Sequence, residues 1–210
     1  ARDPAGVSRS HGRARELASS LRRGRAAESA VVVEDDHSGA ISMAEPVSLA
    51  VHVPERVIRV TSFSKSHGPD LRIGALGGPR PLVDRIVARR LLGPGWTSRL
   101  TQAVLYRLLT DPESVGVVES AARTYAQRQI AFAAAMTEAG VSTAVGDGIN
   151  AWVRVADERA AIVRLAAAGI RVAPGAPFLL ADDPHVRVTV GAIDGDAQQI
   201  AQAIAEATRA

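Results

Sequence analysis

The sequence predicts an α/β fold that continues into a smaller α+β region, and three observations predict it. Two short β-branched runs, Ala30–Val33 and Val57–Phe63, end in clusters of polar residues, the pattern of buried and mainly parallel strands. Apolar residues then recur at three- and four-residue steps from Leu82 to Met136, marking a succession of helices. Beyond Gly140 the texture changes to short strands and helices intermixed.

Element by element, the opening segment from about Ser8 to Arg25 carries Leu17, Ala18 and Leu21 at helical spacing, with Ser8 or Ser10 as N-cap and Gly24 near its end. Seven arginines among the first 25 residues read as the solvated face of this helix rather than as a nucleic-acid arm. After the strands at 30–33 and 57–63, a third is predicted over Leu71–Leu76, closed by Gly77-Gly78-Pro79. Leu82, Val83, Ile86, Val87 and Leu91 mark a helix broken at Gly93-Pro94-Gly95, and Leu100, Val104 and Leu108 mark the next. A long helix is predicted from Pro112 to about Ala139, of the kind that bridges two domains. Ser142–Val145, Ala151–Val155, Arg171–Ala173 and Val186–Val190 read as strands. Asp157–Ala168 reads as a helix ended by Gly169, and a final helix follows Asp196.

The chain has 210 residues, 47% hydrophobic and 22% charged, an ordinary soluble globular composition. Its net charge of +3 is too small to argue for nucleic acid, so no direct nucleic-acid contact is expected. No apolar run approaches the roughly 18–20 residues of a membrane helix, and no secretory signal opens the chain. Cysteine is absent, which excludes disulfide scaffolds, thiolate metal sites and cysteine nucleophiles. A cytoplasmic protein is the default expectation. One count stands out: all 25 basic residues are arginine save Lys65. Where guanidinium serves everywhere else, the single amine is a candidate for chemistry that only an amine performs.

In open α/β sheets, ligand groups gather at the carboxyl ends of strands. If strand geometry persists to His37, Asp35 and His37 face one side and Glu34 and Asp36 the other. Ser62, Ser64, Lys65 and Arg72 fall within one strand-loop-strand passage, an anion site with a nucleophilic amine. Pyridoxal 5'-phosphate (PLP) chemistry joins these groups. A lysine amine, made reactive by desolvation beside cations, condenses with the cofactor aldehyde. Hydroxyls and a guanidinium take the phosphate, and a carboxylate keeps the pyridine nitrogen protonated as an electron sink.

The same residues carry a family resemblance. Ser62-Phe63-Ser64-Lys65 followed by Pro69-Asp70-Leu71-Arg72-Ile73-Gly74 resembles the S-x-S-K…P-x-L-R-x-G signature of fold-type I (class I/II) aminotransferases. Glu34-Asp35-Asp36-His37 is similar to the E-D-D-Y segment in the aminotransferase-like domains of MocR-type members of the GntR regulators. Asp3-Pro4-Ala5-Gly6 resembles their N-P-T-G turn. Val172-Ala173-Pro174-Gly175-Ala176-Pro177-Phe178 and His185-Val186-Arg187-Val188 are similar to the V-x-P-G-x-x-F and R-[LV] segments of the small domain.

The resemblance implies PLP as cofactor, with Lys65 forming the Schiff base and later shuttling the substrate proton. Asp35 would pair with the pyridinium nitrogen, and Ser62, Ser64 and Arg72 would hold the phosphate. Arg187 would grip the carboxylate of an α-amino acid or keto acid. His37 stands where the family usually has a tyrosine that donates to the cofactor phenolate, a task imidazole also performs, and Asp3 stands where an asparagine donates to the same oxygen. It further implies that residues 1–115 are the C-terminal part of a PLP-binding large domain, and that 116–210 are a bridging helix and the small domain. Family members are about twice as long in this region, so the chain is expected to be a C-terminal half that binds cofactor weakly or not at all in isolation. A homodimer is expected, because the family builds its sites across a two-fold interface. Two functions follow: an aminotransferase, or the cofactor-sensing and dimerising half of a MocR/GntR-type regulator. An inactive fragment is the third reading.

Other patterns carry less. A Mg²⁺ or Zn²⁺ site at 34–37 lacks a second ligand cluster other than Asp182-Asp183-Pro184-His185, which reads as a turn, so no metal is expected. Gly74, Gly77 and Gly78 close a strand rather than open a helix and do not make a dinucleotide fingerprint. His11, His52 and His67 read as surface or loop residues, and Trp96 and Trp152 as packing residues.

Overall fold

A computed structural model describes residues 8–23, 30–178 and 183–208. Gly24, Asp182 and the Asp3-Pro4-Ala5-Gly6 turn lie outside the described residues. The chain divides into two compact units, and the division falls between Ser120 and Ala121.

In the first unit, α1 (His11–Arg23) is capped by Ser10, whose hydroxyl accepts from the Arg13 amide at 3.2 Å. Ala14 and Ala18 are buried, and Ala18, Leu17 and Leu21 pack with Leu49, Val53 and Val57. Strand β1 (Val32–Asp36) runs parallel to β2 (Val57–Ser62), which pairs antiparallel with β3 (Gly74–Gly77), giving a mixed sheet of order β1-β2-β3.

Strand β1 starts later than the apolar run predicts and reaches three residues further, into the acidic cluster. Those carboxylates are carried by partners. Glu34, buried, accepts from Arg9, from the Ser48 hydroxyl at 2.7 Å and from the Leu49 amide at 2.8 Å. Asp36 accepts from Arg59 at 2.5 Å and from the Gly39 amide at 3.0 Å. The third strand begins at Gly74 rather than Leu71, because Pro69–Leu71 is taken up by a 3₁₀ turn. Helices α2 (Arg80–Leu91) and α3 (Arg99–Thr110) follow, the latter capped by Ser98. Helix α2 has no buried residue, and Trp96, just beyond it, is 82% exposed rather than packed.

Helix α4 (Pro112–Glu138) spans the division. In the second unit, β4 (Ala151–Arg154), β5 (Ala173–Pro174) and β6 (His185–Val188) form an antiparallel sheet of order β4-β6-β5. Helix α5 (Glu158–Ala167) is capped by Asp157, which accepts from the Ala160 amide at 2.8 Å, and α6 (Ala197–Thr208) begins where Asp196 accepts from the Gln198 amide at 2.8 Å. Phe132 and Met136 of α4, Val153, Val186 and Val188 of the sheet, Leu165 of α5 and Ile204 of α6 share one core.

The strand predicted at 142–145 does not form. The buried Gln129 amide donates to the Gly148 and Asn150 carbonyls at 3.2 and 3.0 Å, so this entry to β4 is held by a side chain instead of a ladder. His185, read as part of a turn, is the first residue of β6 and is buried. Among the described residues no helix is long and apolar enough to cross a membrane.

Candidate cofactor and carboxylate sites

Strand alternation sorts the acidic cluster by face. Glu34 and Asp36 turn to the side on which α1 packs, and Asp35 to the other. The parallel register sets Asp35 beside Val60, and two residues further along β2 on the same face stands Ser62. Ser62 in turn pairs with Gly74, which places Arg72 just ahead of β3 at the same end of the sheet. Ser64 and Lys65 occupy the turn that leaves β2, and the His67 amide closes it by donating to the Phe63 carbonyl at 2.8 Å. The described fold thus gathers Asp35, Ser62, Ser64, Lys65 and Arg72 at one end of one sheet.

Local contacts stiffen that end. The Ser62 hydroxyl accepts from the Ser64 amide at 3.3 Å, and His37 Nε2 lies 3.4 Å from the Ser38 hydroxyl. The Ser66 hydroxyl lies 2.8 Å from His67 Nδ1, and the Phe63 ring meets the His67 ring edge-on at 5.7 Å. Burial lowers the His67 pKa, which favours the neutral imidazole; this histidine lies in the loop after β2, half-buried. Arg72 adopts a left-handed conformation (φ 46°, ψ 42°), and among the described residues it is the one non-glycine with positive φ. Such a backbone costs an L-residue roughly 1–2 kcal/mol, and strain of this kind gathers at ligand clamps.

The desolvated amine expected from the sequence is absent. Lys65, Asp35 and Arg72 are all exposed, as are Val33 and Leu76 on the open face of the sheet. The side chains of Lys65 and Asp35 have no hydrogen-bond or ion-pair partner among the described residues.

The acidic residue that burial selects is a different one. Desolvation alone would raise the Glu34 pKa, but the Leu49 amide, the Ser48 hydroxyl and the Arg9 guanidinium outweigh it and hold the carboxyl below its ordinary range. Asp36 follows the same pattern: burial raises its pKa, and Arg59 and the Gly39 amide more than reverse the effect. Both are structural anchors. Reading the sequence missed the Arg9–Glu34 pair, because its partners lie 25 residues apart and no spacing rule joins them.

In the second unit, Arg187 of β6 stands directly opposite Trp152 of β4, so the two share a face, and His185 lies two residues away on that face. Trp152 stacks on His185 at 4.9 Å with the rings inclined by 16°. Phe178 meets Trp152 edge-on at 6.3 Å, and the Arg187 guanidinium lies over the Phe178 ring, 5.1 Å from its centroid. His185 Nδ1 donates to the Asp183 carbonyl at 2.6 Å, and Asp183 also pairs with Arg154 at 2.9 Å. Trp152 is a packing residue as expected. The aromatic setting of Arg187 was not read from the sequence, although the pattern that marks Phe178 was in view. Among the described residues no group of three histidines or carboxylates is placed to hold a metal ion.

No family model matches the chain. The vitamin B6 salvage pathway transcriptional repressor PtsJ of Salmonella typhimurium is 30% identical over 196 residues, which cover 92% of this chain and 45% of the repressor. Aminotransferase swnA of Metarhizium robertsii is 31% identical over 174 residues, 75% of this chain and 34% of that protein. Among solved structures, the Pyrococcus horikoshii kynurenine aminotransferase, in complex with PMP, superposes with a TM-score of 0.83 at 22% identity, covering 99% of this chain and 54% of that one. The chain therefore spans less than half the length of the curated relatives it matches. It has the fold of the fold-type I aminotransferases, and it is homologous to the repressor and to the enzyme.

Proposed function

We propose that this chain, which carries the aminotransferase fold, is the C-terminal part of a PLP-dependent aminotransferase acting on an α-amino acid. The observation that carries the proposal is the gathering of Asp35, Ser62, Ser64, Lys65 and Arg72 at one sheet end. That donor set fits PLP group by group. The hydroxyls of Ser62 and Ser64 and the cation of Arg72 suit a phosphate dianion. Asp35 suits the pyridinium nitrogen, His37, just past the end of β1, would donate to the phenolate oxygen, and Lys65 would supply the amine. Bound there, the cofactor supplies an aldehyde for the amine and an electron sink for the substrate Cα.

The chain's own residues do the rest. Lys65 would hold the cofactor through its amine and would move the proton at the substrate Cα. Asp35 holds the proton on the ring nitrogen, and Arg187 orients the substrate through its carboxylate. The exposure of Lys65 supports the expectation that residues beyond this chain complete and desolvate the site. Residues 1–115 would then belong to the large domain, and 116–210 would be the bridging helix and the small one. We expect a homodimer in the cytoplasm, and the exposed Leu91, Leu92, Trp96, Leu100 and Tyr106 support a protein partner for this part of the chain.

A second reading is a MocR/GntR-type regulator in which the same domain senses PLP and dimerises. The repressor PtsJ favours it, being similar over 92% of this chain. One experiment tests the shared core of both readings. In the full-length protein, borohydride reduction with PLP should fix the cofactor covalently on Lys65, located by mass spectrometry, and Lys65→Ala should abolish the label. A label that persists on another residue, or none in the wild type, rejects both. Amino-group transfer to a keto acid then selects the enzyme, and labelled protein without transfer selects the regulator.

A further inference from the structure

The segment from Pro174 to Phe178 has a physical task that its sequence pattern does not disclose. Gly175 lies where a side chain does not fit: a Cβ there would come within 2.4 Å of the His185 carbonyl oxygen and 2.8 Å of the Trp152 ring. Its amide donates to the His185 carbonyl at 3.0 Å, and it also reaches Glu158 Oε2 at 2.8 Å, as does the Ala176 amide. The Phe178 amide then donates back to the Gly175 carbonyl at 2.8 Å, closing one turn. The turn is thus clamped to α5 by a carboxylate and laid flat on β6, and it delivers the Phe178 ring against both Trp152 and the Arg187 guanidinium.

We propose that Phe178, delivered by the Gly175 turn, is a positioning residue that aims the Arg187 guanidinium for its carboxylate partner. The inference deepens the proposed function and rests on its assignment of Arg187 to the substrate carboxylate. A guanidinium on a flexible stem loses rotamer freedom when it grips a carboxylate with two parallel hydrogen bonds. An aromatic face stacked against it bears part of that loss beforehand, attracts the cation and leaves its in-plane N–H groups directed away from the ring. Phe178 is half-exposed, so its ring is not needed to fill a core, whereas Trp152 is braced from behind by His185.

The test is an equilibrium titration of the full-length protein with isobutyrate, an unreactive carboxylate, against its neutral amide isobutyramide. Binding is followed by isothermal titration calorimetry. Phe178→Leu and Gly175→Ala should each weaken isobutyrate roughly two- to fivefold, the scale of one exposed cation–π contact, and leave isobutyramide unchanged. Phe178→Tyr, which keeps the ring face, should restore wild-type affinity. Arg187→Gln should remove the preference for the anion altogether. If Arg187→Gln does so while Phe178→Leu and Gly175→Ala bind isobutyrate as the wild type does, the positioning role is wrong and the carboxylate assignment stands. An Arg187→Gln variant with unaltered isobutyrate affinity overturns both. Equal weakening of acid and amide would mark Phe178 as merely structural and also overturn the inference.

Discussion

The two units meet the same demand, burying enough apolar surface to hold a fold, in different ways. The described residues of 121–208 enclose a continuous core shared by Phe132 and Met136 of α4, Leu165 of α5, Val186 of β6 and Ile204 of α6. Among the described residues of 8–120, the buried cluster under α1 is small, made of Ala18, Leu49, Val53 and Val57, while α2 has no fully buried residue and Leu91, Leu92 and Trp96 stand in solvent. The first unit compensates with charge. Glu34 and Asp36 each hold an arginine and a backbone amide, tying β1 to Arg9, Arg59 and two loops. One unit is stabilised by apolar burial and the other leans on ion pairs, so the two should fail under different stresses.

The largest expected effect lies in the apolar unit. Phe132→Ala should cost about 3–5 kcal/mol in urea unfolding, the range for emptying a closed aromatic site, whereas Trp96→Ser should change stability by less than about 0.5 kcal/mol. A similar cost for both would erase the contrast. Next comes Glu34→Gln, which leaves Arg9 uncompensated and should cost about 3 kcal/mol, with the loss read by hydrogen exchange in β1 and β2 before β4 and β6.

Acid should separate the units in the same direction. Glu34 and Asp36 are held below their ordinary values of 4.5 and 3.8, so the folded state binds fewer protons than the unfolded one. Their contribution is complete above the unfolded values and is lost as pH falls through the lowered folded ones. Circular dichroism and amide exchange between pH 5 and about 2 should therefore show β1 and β2 opening first. Loss of the second unit at higher pH would contradict this. The smallest effect is Arg72→Gly, which removes the left-handed penalty and should raise the urea midpoint by the equivalent of about 1 kcal/mol while weakening phosphate affinity in the full-length protein.

What could be read from the sequence follows how local each cause is. All six helices were legible, because a 3.6-residue apolar repeat is a property of neighbours; Ser10 caps where expected and Asp157 caps at the predicted start, while the cap at Ser98 was not anticipated. The motif residues were legible too, since 62–65 and 69–74 are contiguous segments. Failures came where a distant partner decides. The run 142–145 has strand-like composition, yet Gln129 engages the next segment's carbonyls, and β1 continues through three carboxylates only because Arg9 and Arg59 await two of them. Trp96 failed for the opposite reason: a tryptophan suggests a core, and none of the described residues covers it.

The run of three acids at the end of β1 also works as a checksum on strand pairing. Slide β1 by one residue and the open face still presents a carboxylate, since Glu34 or Asp36 would simply take over from Asp35. On the packed side, however, two arginines would then confront one acid, and Val33 would displace Val32. Charge parity, rather than hydrophobicity alone, singles out the correct alignment.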